Sequence, residues 1–188
     1  MTTRHPNLLD RETTLLVIVD MQEPFLNVIH GRERLTENVR LLAQAAATLS
    51  IPILTTVQYA ERMGGIVPEI TEVLPFHTEN PVDKLDFSCA GSEEFTALLM
   101  ATGRRQILLC GVETHICVSQ TALDLVHLGY QVHVAVDAVS SRTLEKHKLG
   151  MERMRDSGVL PCAAEAAVYE LLGAAGTPDF KSILKLVK

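Results

Sequence analysis

Leu15-Leu16-Val17-Ile18-Val19 is an uninterrupted aliphatic run that stops at Asp20. A run without polar alternation predicts a strand buried on both faces, as in a parallel sheet covered by helices. From about Arg34 to Leu49 the period changes to three and four, with Leu35, Val39, Leu42, Ala46 and Leu49 on one stripe, which predicts a helix ended by Ser50 and Pro52. Strand character returns over 53–57. The stretch 58–78 carries Gly64-Gly65, Pro68 and Pro75, so we expect a surface loop with one short helix near Glu69 to Val73. A loop of that length either covers a site or is a passive excursion.

Beyond it, the pattern predicts a short strand over 81–86 and a helix over 93–102, with Ser92 as N-cap and two glutamates in the first turn. The clearest unit comes next. A strand over 106–110, Gly111, a helix over 114–128, Gly129 as C-cap and a strand over 131–136 together spell a βαβ crossover. A helix over 143–156 closed by Gly158, a brief strand over 159–163 and two C-terminal helices complete the pattern. We expect one α/β domain over 1–188, a three-layer Rossmann-like arrangement with a parallel sheet between helical layers.

Composition narrows the function classes. The 188 residues are 47% apolar and 21% charged, and the net charge is −6. No basic footprint for nucleic acid and no Trp for base stacking are present, so a nucleic-acid partner is not expected. The longest apolar runs are too short to span a bilayer, which predicts no membrane partner. Cys89, Cys110, Cys117 and Cys162 form no C-x-x-C pair, and no basic-then-apolar leader opens the chain. Reduced thiols and a cytoplasmic location are the expectation.

Ligands of open α/β sheets gather beyond the carboxyl ends of the strands. Asp20 directly follows the first strand, Lys84 lies in or after the strand near Pro81, and Cys117 falls in the first turn of the helix after 106–110. A thiol at a helix amino terminus beside a lysine is expected to have a lowered pKa, with a nearby carboxylate to take its proton. Each residue also has an ordinary reading: Cys117 as a small buried side chain, Asp20 as a cap, Lys84 as solvated surface. Cys110 and Cys162 sit among aliphatic strand residues and read as core.

Other chemistries find less support. His115 lies two positions before Cys117, on nearly the opposite side of a helix, and is a poor base for it. Position 123 is Leu where a cysteine phosphatase would carry arginine. The sequence has no H-E-x-x-H, G-x-x-x-x-G-K-S/T, G-x-G-x-x-G or G-x-S-x-G, so zinc, nucleotide and serine-hydrolase signatures are missing. Cys89 is the one weak candidate for a redox partner of Cys117.

Three blocks, Val17-Ile18-Val19-Asp20-Met21-Gln22, Lys84-Leu85-Asp86-Phe87-Ser88 and Leu109-Cys110-Gly111-Val112-Glu113-Thr114-His115-Ile116-Cys117-Val118, resemble the signature blocks of isochorismatase-like cysteine hydrolases. The stretches after Thr121 and from Val132 to Arg142 also match, so the resemblance runs from about Leu15 to Leu172. The C-terminal half is similar to the isochorismatase-domain-containing subgroup. The resemblance implies an Asp20-Lys84-Cys117 triad, a non-proline cis peptide joining Val112 to Glu113, and an oxyanion hole from the N–H groups of Glu113 and Cys117. It further implies hydrolysis of a carbon–nitrogen bond in a small amide-like substrate through a thioester, without cofactor, in a homo-oligomer. Gln22, Phe25 and Phe87 are candidate pocket residues, and core packing explains the phenylalanines equally well. Val57-Gln58-Tyr59-Ala60 stands where metal-dependent nicotinamidases of this superfamily carry Asp-x-His, and His77 alone cannot hold a metal, so no metal is expected. A catalytically silent scaffold and a vinyl ether hydrolase are the alternatives.

Overall fold

The computed structural model describes residues 4–75, 78 and 80–188. Six parallel strands make one sheet: β1 (Thr14–Val19), β2 (Ile53–Gln58), β3 (Val82–Lys84), β4 (Gln106–Val112), β5 (Gln131–Ser140) and β6 (Leu160–Cys162), in the order β3-β2-β1-β4-β5-β6. The chain winds outward from β1 through β2 to β3, then returns to lay β4 on the other side of β1. The order therefore reverses between β1 and β4, and a crevice opens beyond their carboxyl ends.

Successive side chains of a strand face opposite layers, and β1 shows how both are filled. Leu16 and Ile18 pack in one cluster with Val39, Leu42 and Ala46 of α2 (Arg32–Thr48) and Val168 of α8 (Ala164–Leu172). Leu15, Val17 and Val19 pack in the other with Phe95 of α5 (Glu93–Ala101), Leu125 of α6 (Ser119–His127) and Met154 of α7 (Leu144–Asp156). The expected helix–sheet–helix layering is present. A last helix, α9 (Phe180–Leu186), adds Ile183 to the α2 side.

Departures from the sequence pattern concentrate near the crevice. The 58–78 region holds two short helices where one was expected, α3 (Ala60–Met63) and α4 (Pro68–Thr71). A further short helix, α1 (Glu23–Leu26), follows β1. Helix α2 starts at Arg32, two residues earlier than predicted, because Gly31 adopts the left-handed conformation and turns the chain into it. The expected helix over 114–128 divides, and Thr114–Val118 is a π-helical turn ahead of α6. Strand β5 extends to Ser140 through an irregularity: Leu109 pairs with Val134 but Gly111 with Val139. Five steps of one strand there answer two of the other, which swings the end of β5 and Arg142 toward the crevice.

Candidate active site

Val19 pairs with Gly111 across the switch point, so Asp20 and Val112 emerge side by side. That approach depends on glycine. A Cβ at Gly111 would lie 2.1 Å from the Val19 carbonyl oxygen, and its φ is +107°. Asp20 itself takes a left-handed φ of 50°, a conformation that Asp and Asn tolerate better than other side chains. Its carboxylate is 1% exposed. Oδ1 accepts from Thr56 Oγ1 at 2.7 Å, and Oδ2 accepts from Lys84 Nζ at 2.8 Å.

Lys84 ends β3, two strands away, and its long side chain crosses the end of β2 to reach Asp20. Its other donors go to Gln58 Oε1 at 2.7 Å and to the Asp86 carbonyl at 3.3 Å. All three ammonium protons are therefore engaged, and the residue is 2% exposed. Burial works against the ammonium, but the Asp20 carboxylate and the neighbouring thiols Cys89 and Cys117 outweigh it, and the Lys84 pKa is raised. The lysine stays charged.

Gln58 is held in turn: its N–H donates to Gln22 Oε1 at 2.7 Å, and its Nε2 donates to the Leu85 carbonyl at 2.7 Å. Gln22 Nε2 donates to the carbonyls of Gln58 and Gly64. Gln22 is thus fully committed to the backbone around β2 and the following loop, and does not line the cavity. The expectation that it does is corrected: a completely buried amide had to spend both its oxygen and its nitrogen on the protein.

Cys117 projects from the π-helical turn toward this pair. Asp20, Gln58 and Cys117 share a cavity of about 60 Å³ with Val112 and Glu113. Phe25, Phe87 and Ile116 complete its walls, so both phenylalanines expected near the pocket reach it. The space is enough for a carbonyl group and its immediate substituents. The Val112–Glu113 peptide bond is cis. Glu113 Oε2 accepts from the Arg142 backbone N–H at 3.2 Å and from its Nε at 3.1 Å. His115 turns away and pairs with Ser141 Oγ at 2.9 Å, in keeping with its dismissal as a base.

The expected low pKa of Cys117 is not what its surroundings produce. Burial, then the Asp20 charge, push the thiol up to about 12, and Lys84 offsets only part of this. Desolvation dominates because Cys117 is 7% exposed and Lys84 already spends its charge on Asp20. The resting nucleophile is a neutral thiol beside a carboxylate, not a preformed thiolate.

Thr56 and Gln58 were not singled out from sequence. Their signal was available: two polar residues at alternate positions of a buried aliphatic strand require partners on one face. Cys89 lies on the same side, its Sγ 3.8 Å from Thr56 Oγ1 and its N–H donating to Thr121 Oγ1. No group of three or more His, Cys, Asp or Glu suited to a metal occurs among the described residues. His77, weighed as a possible ligand, lies outside them.

Comparison with known proteins agrees with the geometry. The family model described as the Isochorismatase domain matches residues 14–166. A secreted isochorismatase effector of Phytophthora sojae is 39% identical over 178 residues, covering 94% of this chain and 85% of that protein. Isochorismatase domain-containing protein 2 of Bos taurus is also 39% identical, covering 94% and 83%. Among solved structures, a protein named MAR1 ribonuclease from Caenorhabditis elegans superposes with a TM-score of 0.89 at 34% identity, over 96% of this chain and 92% of that one. The YcaC protein of Escherichia coli, described as an octameric hydrolase of unknown specificity, shares the fold with a TM-score of 0.85 at 22% identity, over 97% of each chain. With its sheet, its switch-point crevice and its three signature blocks in place, this chain belongs to the isochorismatase family.

Proposed function

We propose that the protein is a metal-independent cysteine hydrolase that cleaves the carbon–nitrogen bond of a small amide-like substrate, with Cys117 as nucleophile, Asp20 as proton carrier and Lys84 as supporting cation. The observation that carries this reading is the buried Asp20–Lys84 pair, 2.8 Å apart, opening onto the same small cavity as the Cys117 thiol. A buried ion pair is costly to keep and adds little stability over apolar packing, so its place beside a nucleophile favours a chemical role.

The steps are set by the geometry. The Cys117 sulfur attacks the carbonyl carbon while its proton passes to Asp20, so a thiolate never accumulates. The carbonyl oxygen becomes an oxyanion received by the backbone N–H groups of Glu113 and Cys117, where one donor is typically worth about 3 kcal/mol. Asp20 returns the proton to the nitrogen, the C–N bond breaks and the amine leaves a thioester on Cys117. A water then gives its proton to Asp20 and attacks the thioester. The C–S bond breaks, the acid departs and the sulfur recovers the proton. Lys84 keeps Asp20 ionised for each return, and Gln58 keeps Lys84 aimed at it.

Two further features belong to this reading. We take the assembly to be a homo-oligomer, supported by the octameric state given for the E. coli neighbour and by Leu85 and Phe87, 69% and 55% exposed near the cavity. We take the location to be cytoplasmic, supported by four free cysteines. No helix among the described residues is long and apolar enough to cross a membrane. The nematode neighbour is named for RNA cleavage. A net charge of −6 and the cavity's small size argue against the same substrate here.

The test is a panel of small amides offered to the wild type and to Cys117→Ala, Asp20→Asn and Lys84→Met. Loss of turnover by at least about a thousandfold in the first two supports the assignment. Turnover unchanged in Cys117→Ala excludes covalent catalysis, and no turnover of any amide by the wild type favours a silent scaffold.

A further inference from the structure

We infer that the cavity selects uncharged amides and rejects substrates carrying a carboxylate near the scissile bond. This rests on the hydrolase reading and narrows its substrate class. Two carboxylates, those of Asp20 and Glu113, line the cavity, whereas the cations that balance them do not. Lys84 stands behind Asp20 with its three donors spent on Asp20, Gln58 and Asp86. Arg142 is drawn to Glu113 through both its backbone N–H and its Nε. An arriving carboxylate would meet two negative groups at the wall and find no free cation to pair with.

The remaining walls ask for the opposite of charge. Phe25, Phe87, Val112 and Ile116 are apolar, and burying an anion against them without a partner is strongly unfavourable. The reacting carbonyl is the one polar group the cavity is equipped to take, with backbone N–H groups near Cys117. A volume of about 60 Å³ leaves room beside the carbonyl for only a few heavy atoms, and flat or apolar bulk must rest between Phe25 and the exposed face of Phe87. The predicted substrate is a small neutral carboxamide with an apolar or aromatic acyl group.

A matched pair of alkylating agents tests charge selection without requiring turnover. Iodoacetamide and iodoacetate place the same leaving group before Cys117 and differ in charge alone. Labelling rates at Cys117 are read by peptide mass in the native protein and compared with the rates for the same cysteine in the denatured chain. The native ratio of iodoacetamide to iodoacetate should exceed the denatured ratio by about tenfold or more, the factor one unfavourable unit charge roughly 10 Å away gives at an effective dielectric of about 20. Glu113→Gln should shrink that excess toward unity. A native ratio equal to the denatured one, a preference for iodoacetate, or a Cys117 closed to both reagents would overturn the inference. Hydrolysis of propionamide against succinamate separates it from the parent reading. If the labelling preference holds and neither compound is hydrolysed nor any other amide turned over, the hydrolase assignment falls and charge selection stands. If both are hydrolysed at equal kcat/KM, charge selection falls and the hydrolase assignment stands.

Discussion

Lys84 Nζ lies 2.8 Å from Asp20 Oδ2, and neither side chain is more than 1% exposed. Removing one member of a buried pair leaves the other charge without compensation, a cost of about 3–5 kcal/mol. Lys84→Met should lower unfolding free energy by that amount in denaturant titrations. Adding Asp20→Asn, which keeps a side chain suited to the left-handed φ of 50°, should recover at least half of the loss. A double variant as unstable as the single one would show that packing, not charge, was lost.

Backbone approach at the switch point sets a second expectation. Gly111→Ala places a Cβ 2.1 Å from the Val19 carbonyl oxygen, and the rigid β1–β4 pairing cannot yield to it. The variant should lose more than about 4 kcal/mol or fail to fold, read by thermal melting. Gly150 on α7 differs: its Cβ would meet the His115 Cα at 2.9 Å, pressing on the π-helical turn that carries Cys117. Gly150→Ala should fold while losing activity by tenfold or more, because the turn shifts and the thiol with it.

Alkaline pH should weaken the fold through its thiols. The pKa values of Cys89, Cys117 and Cys162 rise from 9.0 to about 11, 12 and 12, chiefly through burial. Between pH 9 and these values the unfolded chain sheds protons that the folded chain keeps, so stability is constant below 9 and falls above it. Cys117→Ala should reduce the slope of unfolding free energy between pH 9.5 and 10.5 by about one proton. Labelling of wild-type Cys117 by iodoacetamide should keep rising through that range, with no plateau near 8.5.

His133 predicts the acid limb. It sits in β5, 2% exposed, with Nε2 lacking a partner among the described residues, and burial lowers its pKa from 6.5 to about 4. As pH falls from 6.5 to 4 the unfolded chain gains a proton that the folded chain refuses, removing about 3 kcal/mol by pH 4. His133→Leu should flatten the stability profile by about one proton over that window. An unchanged profile would mean that the imidazole is protonated inside the fold.

How legible these features were differs with their physical origin. The strands were plain because a doubly covered parallel sheet requires aliphatic side chains on both faces, as Leu15 to Val19 shows. Asp20 and Lys84 could be placed because strand ends are marked by the end of that pattern. The π-helical turn of Thr114–Val118 was not visible, since the spacing of backbone hydrogen bonds leaves no side-chain period behind. The high pKa of Cys117 was missed for a related reason. A cysteine near a helix start suggests a dipole, whereas its burial and the prior commitment of Lys84 to Asp20 are facts of three dimensions. Gln22 was misassigned because a polar residue after a strand end fits a ligand contact and a backbone clamp equally well. Only its bonds to Gln58 and Gly64 decide between them.

The central claim is that Cys117 carries the acyl group with Asp20 managing its proton, and rapid acid quench followed by peptide mass measurement addresses it directly. During turnover of a small neutral amide, the peptide bearing Cys117 should gain the mass of the acyl group. It should do so transiently in the wild type and below detection in Asp20→Asn. Turnover at the wild-type rate with no acyl mass on that peptide, and undiminished in Cys117→Ala, would contradict the account.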